Sequence, residues 1–207
     1  MELIKTKDGS FTFFSEEYKE TYKSVSGALE EAEKKFIIPC NVRDNITILD
    51  IGFGLGYNVV SALQKAKSLK IISLEKDKEL FSIIQSLEVP EKIKYNYEKV
   101  KLAAKNLSYK DKDHEINIIL GNAEETIKSI KEEFDAVFLD PFSPKKNPEL
   151  WSLEFLKDIF AVMKKGAVLS TYSCAGQIRR NLVAAGFEVK DGPIVGRRAP
   201  STIAIKQ

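Results

Sequence analysis

Histidine and cysteine are scarce in this sequence. The 207 residues contain one histidine, His114, and two cysteines, Cys40 and Cys174. Zinc sites, catalytic triads and cysteine nucleophiles all need ligands or bases of these types, so the sequence disfavours these sites and we expect no metal centre. Long apolar runs and a secretion signal are also missing. We therefore expect a cytoplasmic protein that does not associate with a membrane.

Charge of one sign does not dominate either. The 32 Lys and Arg residues nearly balance 30 Asp and Glu, and this small excess does not by itself predict a nucleic-acid partner. Only five of the basic residues are arginines, and four of them form two adjacent pairs, Arg179-Arg180 and Arg197-Arg198. Hydrophobic residues make up 43% of the chain, which is enough for one sizeable buried core.

From residue 46 onward, short apolar runs rich in β-branched residues alternate with longer amphipathic segments. This alternation predicts an α/β fold over residues 45–207, with a doubly wound, mostly parallel sheet flanked by helices. Seven strands are predicted, at Ile46–Ile51, Lys70–Glu75, Ile116–Leu120, Phe134–Asp140, Ala167–Tyr172, Phe187–Lys190 and Thr202–Lys206.

Residues 1–44 precede the first predicted strand and are too few for a separate domain. We expect them to form a helical N-terminal extension packed on the same core, with a helix from Ser15. Near the other end of the chain, Gly166 and Gly186 are expected to end two helices as C-terminal caps. His114 is expected in a polar loop.

A glycine-rich turn, D-I-G-F-G-L-G, follows the first predicted strand at residues 50–56. Glycines here let the backbone approach a ligand at the start of a helix. A dinucleotide fingerprint is spaced G-x-G-x-x-G, and the third glycine comes one residue early, which disfavours a nicotinamide cofactor. The spacing resembles the first motif of class I S-adenosylmethionine methyltransferases, although close packing alone could also require it. The predicted cofactor-binding residues of this segment are Asp50, Gly52, Phe53, Gly54, Gly56 and Asn58.

Polar side chains follow the next two strands. Glu75 ends the second strand, where a carboxylate can accept from both hydroxyls of a ribose. Asn122 follows the third strand, where its side chain could bond an adenine amine, with Ala123 beside it. Because ligands of open α/β sheets bind at the carboxyl ends of strands, these residues strengthen the prediction of S-adenosylmethionine as cofactor.

The fourth strand runs into an aromatic, proline-rich segment from Asp140 to Trp151. An acid-Pro-aromatic sequence at a strand end is similar to the D/N-P-P-Y/F motif of amine and amide methyltransferases. A carboxylate there can hold the N–H groups of an amine so that its lone pair faces the methyl group, an orientation effect. We predict Asp140 and Phe142 as catalytic residues, with Asp140 also beside the cofactor and the Phe142 ring stacked on a base or facing a cation. A structural ion pair or cap at Asp140, and core packing of Phe142 and Trp151, are the alternatives.

Several segments together resemble the methyltransferase half of the MnmC family, whose bifunctional enzymes finish the 5-methylaminomethyl-2-thiouridine wobble base of tRNA. The resemblance covers nearly the whole chain and is weakest over residues 88–115. Pro141 departs from the family's D-G-F-A-P, and we expect no flavin-binding half after Gln207. The segments that carry the resemblance are Asp8–Ser10, Tyr22–Ser24, Gly27–Glu30, Gly52–Asn58, Phe138–Trp151, Thr171–Gly176, Arg179-Arg180 and Ala185–Phe187.

The resemblance implies a Rossmann-like class I methyltransferase that methylates the primary amine of 5-aminomethyl-(2-thio)uridine in tRNA. A stand-alone enzyme of this kind would need the free amine from another route or from a separate tRNA-modifying oxidoreductase acting upstream. Guanidinium and ammonium groups suit phosphate oxygens, so a basic rim toward the anticodon stem-loop is predicted, with solvated surface charges as the alternative. Its residues are Lys145, Lys146, Arg179, Arg180, Arg197 and Arg198.

Three other functions remain open at this point. An aminopropyltransferase shares the fold and an amine acceptor, but we would expect a more acidic pocket for its polycationic substrate. A nicotinamide oxidoreductase is disfavoured by the glycine spacing. A non-catalytic RNA-binding module would not need Glu75, Asn122 and Asp140 at one edge of a sheet.

Overall fold

The computed structural model describes residues 2–195 and 198–207, which form two sheets. In chain order the strands are β1 (Glu2–Lys5), β2 (Phe11–Ser15), β3 (Glu20–Thr21), β4 (Ile46–Ile51), β5 (Leu69–Glu75), β6 (Ser108–Lys110), β7 (His114–Leu120), β8 (Phe134–Leu139), β9 (Met163–Thr171), β10 (Glu188–Asp191) and β11 (Thr202–Ile205). The helices are α1 (Ala28–Ala32), α2 (Tyr57–Lys65), α3 (Glu79–Ser86), α4 (Glu91–Asn106), α5 (Ala123–Thr126), α6 (Leu153–Val162) and α7 (Gly176–Ala184). Shorter helical turns are π-helical at Glu33–Ile37 and 3₁₀ at Ile127–Ser129 and Pro148–Trp151.

The large sheet has the order β10-β11-β9-β8-β4-β5-β7-β6. Its five central strands, from β9 to β7, are parallel, whereas β6, β10 and β11 pair antiparallel with their neighbours. The chain winds outward from β4 to β7, returns to β8 on the other side of β4, and continues to β9. The predicted doubly wound α/β class is therefore confirmed, and the switch point lies between β4 and β8, where ligands of such sheets bind.

Two hydrophobic clusters cover the two faces of this sheet. Successive residues of β4 point to opposite faces, so Ile48 belongs to one cluster and Leu49 to the other. The cluster around Ile48 includes Phe36 and Tyr57, and the one around Leu49 includes Trp151 from the segment after β8. Burial of both faces explains why the central strands read as nearly continuous apolar runs.

The seven predicted strands are all present, and β6 is an eighth that the short run Ser108–Lys110 did not reveal. The Gly186 prediction is confirmed, because the N–H groups of Gly186 and Phe187 bond the Val183 and Leu182 carbonyl oxygens at 3.0 and 3.1 Å. The Gly166 prediction is wrong. Helix α6 ends at Val162, and Gly166 lies inside β9, where its N–H bonds the Lys206 carbonyl oxygen at 2.7 Å.

The N-terminal segment differs most from expectation. The prediction of a helix from Ser15 is wrong, since β1, β2 and β3 form a small antiparallel sheet and the first helix begins only at Ala28. Tertiary contacts select the strands: the Phe11 N–H donates to the Tyr57 hydroxyl at 3.0 Å, and the Phe11 and Phe13 rings pack against the main core. Lys19, at φ +54°, turns the chain between β2 and β3.

His114 begins β7 and is buried, so its prediction in a polar loop is also wrong. Its Nε2 lies 3.1 Å from the Ala66 carbonyl oxygen and its Nδ1 lies 3.1 Å from Lys99 Nζ. Lys99 also forms an ion pair with Asp111 at 2.8 Å. We call Lys99, Tyr109, Asp111 and His114 the amino-edge cluster, because it lies where β7 starts. Within the described ranges, no helix is both long enough and apolar enough to cross a bilayer.

Candidate functional site

A cavity of about 460 Å³ opens across the carboxyl ends of the parallel strands. Its volume falls within the range of small-molecule sites. Part of its wall comes from the ends of successive strands: Gly52 follows β4, Glu75 ends β5, Asn122 follows β7 and Asp140 follows β8. The structure thus brings together most of the predicted catalytic and cofactor-binding residues, namely Gly52, Phe53, Gly54, Glu75, Asn122, Ala123, Asp140 and Phe142.

The three glycines of the turn have different surroundings. Gly52 has φ +90°, and a Cβ there would lie 2.9 Å from the Asp140 carbonyl oxygen, so a side chain would push the β4 and β8 loops apart. The Gly54 N–H donates to Glu75 Oε2 at 2.9 Å. Gly56 is not in the cavity wall; a Cβ there would meet Val100 Cγ1 at 2.4 Å. Close packing against α4 therefore accounts for the third glycine.

The Glu75 carboxylate is held by main-chain groups. Besides Gly54, the N–H groups of Lys76 and Asp77 donate to its Oε1, each at 2.9 Å. Burial raises the pKa of Glu75, and these hydrogen bonds oppose that effect. The side chain therefore has a fixed position in the cavity wall.

Asp140 lies at the floor of the cavity in a buried ion pair with Lys23. Lys23 Nζ lies 2.5 Å from Asp140 Oδ2, and the two side chains are 7% and 9% exposed. Asn58 joins them, because its Nδ2 donates to Asp140 Oδ2 at 2.9 Å and its Oδ1 accepts from Lys23 at 2.7 Å. Burial raises the pKa of Asp140, although the Lys23 charge opposes this. Asn58 is thus behind the cavity wall, where it supports Asp140.

Asp50 is completely buried and is also outside the cavity wall. Ser73 Oγ donates to its Oδ2 at 2.9 Å, while Oδ1 has no hydrogen-bond partner among the described residues. Burial raises the pKa of Asp50 to about 7, and the nearby Asp140 charge adds to the effect. The structure therefore separates Asp50, Gly56 and Asn58 from the other predicted cofactor-binding residues, which line the cavity.

Three aromatic rings, which we call the aromatic wall, line one side of the cavity. Phe142 stacks on Tyr18 with ring centroids 4.1 Å apart and meets Tyr22 edge-on at 5.0 Å. Trp151 packs in the core, which was the alternative considered for it. It is buried, and its Nε1–H donates to the Phe142 carbonyl oxygen at 2.9 Å. It supports the loop that presents Phe142.

The N-terminal segment supplies a large part of this site. Tyr18, Tyr22 and Lys23 line the cavity, and the Glu20 carboxylate accepts hydrogen bonds from the Ser143 N–H and hydroxyl groups. Sequence reasoning missed these residues as functional. The Y-K-S run at residues 22–24 contributed to the family resemblance, but no spacing rule connects it with an aspartate 117 residues later.

The cavity wall is acidic. Its described residues include seven carboxylates and three lysines, so acidic groups outnumber basic ones. Such a surface favours a cationic or amine ligand over an anionic one. The carboxylates are Glu20, Glu31, Glu75, Asp77, Glu124, Asp140 and Glu149, and the lysines are Lys23, Lys35 and Lys76.

The residues of the predicted basic rim are separate from the cavity wall. Lys145 and Lys146 are exposed on the loop after β8, and Arg198 is exposed near the chain end. Arg180 Nη2 donates to Gln177 at 2.8 Å and remains exposed. Arg179 is tied to Asp191 at 2.6 Å, so its charge is already paired. Arg197 lies outside the described residues.

Comparison with known sequences identifies the family. Residues 85–207, more than half of the chain, match the family described as S-adenosyl-L-methionine-dependent methyltransferase. The chain belongs to this methyltransferase family. Its cofactor is S-adenosylmethionine, and the predicted enzyme class is confirmed. No group of three or more metal-ligating side chains occurs in the part of this methyltransferase that the structure describes.

Relatives of this methyltransferase confirm the MnmC resemblance. The solved structure of MnmC2 from Aquifex aeolicus has a TM-score of 0.85 and 33% identity, covering 99% of this chain and 70% of that one. An uncharacterised protein of Methanocaldococcus jannaschii is 35% identical over 99% of this chain and 59% of its own length. The tRNA 5-methylaminomethyl-2-thiouridine biosynthesis bifunctional protein MnmC of Ralstonia nicotianae is 29% identical over 93% of this chain. The chain spans only 33% of that protein.

Family membership also decides among the alternatives. It favours methyl transfer over a nicotinamide-dependent reaction and over a non-catalytic RNA-binding module. The acidic wall meets the expectation attached to an aminopropyltransferase, so cavity charge does not separate that function from methylation of an amine. The match to the methyltransferase family separates the two functions and favours methyl transfer.

Proposed function

We propose that this methyltransferase transfers a methyl group from S-adenosylmethionine to the primary amine of 5-aminomethyl-(2-thio)uridine at the tRNA wobble position. The observation that carries the proposal is the Asp140 carboxylate at the floor of an acidic cavity, beside the aromatic wall. The MnmC relatives, which are named for tRNA 5-methylaminomethyl-2-thiouridine biosynthesis, support the choice of nucleoside. A cytoplasmic location is consistent with a tRNA substrate.

The cofactor is proposed to bind along the carboxyl ends of β4, β5 and β7. Gly52 and Gly54 leave room for close backbone approach, the fixed Glu75 carboxylate would accept from the ribose hydroxyls, and Asn122 with Ala123 would lie at the adenine. S-adenosylmethionine supplies a methyl group activated by a sulfonium. The residues of the chain position the acceptor.

Asp140 is proposed to orient the amine. An alkylammonium has no lone pair, so the acceptor must react as the neutral amine with its lone pair facing the methyl carbon. A carboxylate that accepts an N–H from the amine restricts its rotation toward that geometry. The aromatic wall offers apolar faces against which the uracil ring can pack.

The tRNA anticodon stem-loop is proposed to contact the exposed basic residues near the cavity. Lys145 and Lys146 follow the strand that ends at Asp140, and Arg180 lies in the helix after β9. Phosphate contacts of this kind would position the loop without reading its sequence. Arg179 contributes less, because it is paired with Asp191.

The proposal is tested by incubating the protein with labelled S-adenosylmethionine and tRNA that carries the 5-aminomethyl group, then digesting the tRNA and identifying the labelled nucleoside. We expect 5-methylaminomethyl-(2-thio)uridine. Transfer RNA carrying the 5-carboxymethylaminomethyl group should stay unlabelled, because the acidic wall repels its extra carboxylate. A protein that binds the cofactor but leaves the aminomethyl tRNA unlabelled would contradict the proposal.

A further inference from the structure

Lys23 lies against Asp140, but the proposed function assigns it no role. Its ammonium group lies 2.5 Å from Asp140 Oδ2, 2.7 Å from Asn58 Oδ1, and 4.9 Å from the centroid of the Phe36 ring. The side chain is almost fully buried and still forms part of the cavity floor. A lysine held this tightly has one orientation, so its charge acts on a defined atom of Asp140.

The two oxygens of Asp140 have different surroundings. Both protein donors, Lys23 Nζ and Asn58 Nδ2, bond to Oδ2. Oδ1 forms no hydrogen bond with the described residues, and it is not among the fully buried unpaired atoms, so it remains accessible. An acceptor N–H that enters the cavity therefore meets Oδ1.

Lys23 also balances the other carboxylates near Asp140. Glu31 is buried, pairs with Lys35 at 2.5 Å and accepts from the Ser24 N–H at 2.9 Å. Burial would raise the pKa of Glu31, but the charges of Lys23 and Lys35 lower it. The Glu31 charge in turn raises the pKa of Asp140, and the Asp140 charge raises the pKa of the buried Asp50. Without Lys23, only Lys35 would remain of these two lysines to balance three carboxylates, those of Asp140, Glu31 and Asp50.

We propose that Lys23 is a positioning residue for methyl transfer: its ammonium group keeps Asp140 ionised and immobilises Oδ2, so that Oδ1 accepts the N–H of the acceptor amine. This inference rests on the proposed function. Lys23 takes no proton in the reaction. The N–C bond forms as the S–C bond breaks, and the proton of the resulting ammonium leaves afterwards to solvent.

A purely structural Lys23 would have different consequences. If it only filled space, its replacement would lower activity equally at every pH. If it keeps Asp140 ionised, the loss appears mainly at low and neutral pH and disappears once the pH is high enough to ionise Asp140 unaided. An opposite charge within about 4–6 Å typically shifts the pKa of a carboxyl by about 1–3 units.

The test compares Lys23→Met with Lys99→Met. Lys99 is the matched control, because it is equally buried and paired with an aspartate but belongs to the amino-edge cluster. With both substrates saturating, we expect the ratio of the Lys23→Met kcat to the wild-type kcat to rise with pH, and taking this ratio cancels the ionisation of the acceptor amine. At neutral pH the variant kcat should be lower by about tenfold or more, with recovery toward the wild-type value at high pH. For Lys99→Met the ratio should not change with pH.

A second measurement does not depend on activity. Carbon-13 NMR titration of the Asp140 carboxyl should show a higher pKa in Lys23→Met than in the wild type, and Lys23→Gln serves if the methionine variant does not fold. An unmoved carboxyl titration, or a variant to wild-type kcat ratio that does not change with pH, would overturn the role of Lys23 and leave the proposed function intact. A wild-type protein that does not label aminomethyl tRNA would instead overturn the proposed function.

Discussion

The two edges of the large sheet each contain a buried lysine paired with an aspartate, yet the aspartates differ in how their oxygens are used. At the amino edge, Asp111 Oδ1 accepts from the Asp113 and His114 N–H groups, and Oδ2 accepts from Lys99 and the Tyr109 hydroxyl. At the carboxyl edge, both donors to Asp140 use Oδ2. Both oxygens of Asp111 therefore have hydrogen-bond partners, whereas Oδ1 of Asp140 has none among the described residues.

The electrostatics follow the same division. Burial would raise the pKa of Asp111, but hydrogen bonds from Lys99, His114, Tyr109 and Asp113 hold it well below the usual range. Burial raises the pKa of Asp140, and its fewer partners do not reverse the effect. A buried lysine–aspartate pair is therefore not by itself a sign of function; the accessible oxygen is what distinguishes the site.

The largest expected effect is that of Asp140→Ala. The methyl-transfer rate should fall by on the order of 10² or more, while S-adenosylmethionine still binds. Asp111→Ala, the matched change at the other edge, should leave the rate per folded molecule unchanged. Single-turnover kinetics with saturating tRNA and calorimetry with the cofactor measure the two quantities. Near-normal turnover of Asp140→Ala would remove this aspartate from the mechanism.

Glu75→Ala should weaken cofactor binding by roughly 1.5–3 kcal/mol, the range for a hydrogen bond to a charged group, or about 13- to 160-fold in Kd. Glu132→Ala provides the control, because Glu132 lies near the amino edge and pairs with Lys70. Titration calorimetry with S-adenosylmethionine gives both affinities, and NAD should not compete. If Glu75→Ala bound S-adenosylmethionine as tightly as Glu132→Ala, the ribose would bind elsewhere.

Asp111→Asn tests whether the Asp111 charge in the amino-edge cluster stabilises the fold. The lowered pKa of Asp111 means that its contribution is present above the unfolded-state pKa, near 3.9, and is lost as the pH falls through the folded-state value. The variant should be less stable by about 1–3 kcal/mol at pH 7 and should lose less stability than the wild type below about pH 4. Urea unfolding between pH 3 and 7 measures this. If the stabilities of the variant and the wild type fell in parallel as the pH is lowered, the lowered pKa of Asp111 would be contradicted.

The smallest effect concerns the basic rim. Replacing Lys145, Lys146, Arg180 and Arg198 with glutamine should weaken tRNA binding and flatten the dependence of log affinity on log salt, by somewhat under one unit per lost phosphate contact. Replacing Lys110 and Lys112 at the amino edge should leave the slope unchanged. If both sets of changes flatten it equally, the carboxyl edge has no special role in tRNA binding.

The five parallel strands of the large sheet could be predicted because each of them carries its own signal in the sequence. Ile46–Ile51 and Phe134–Leu139 are buried on both faces, so their apolar runs are nearly continuous and polar residues appear where they end. Parallel strands place those ends at one edge, which is why Gly52, Glu75 and Asp140 could be assigned to one cavity.

The N-terminal segment could not be predicted because its conformation depends on distant partners. Glu16 and Glu17 suit the first turn of a helix, and this local preference is overridden by the pairing of β2 with β1 and by contacts of Phe11 with the main core. Lys23 is a further example. Nothing in its sequence neighbours indicates that it is buried against Asp140, since the pairing arises only when the hairpin packs on the sheet.

The different surroundings of Gly52 and Gly56 have a consequence for genetic suppression. A Cβ at Gly56 collides with the tip of the Val100 side chain, so Gly56→Ala combined with Val100→Ala removes the collision; the costs that remain are the φ of +75°, about 1–2 kcal/mol, and the packing lost from the buried Val100 side chain. A Cβ at Gly52 meets the Asp140 carbonyl oxygen, which every amino acid carries. A second-site change can therefore relieve the collision at the third glycine of the motif, and no side-chain replacement at residue 140 can do so for the first.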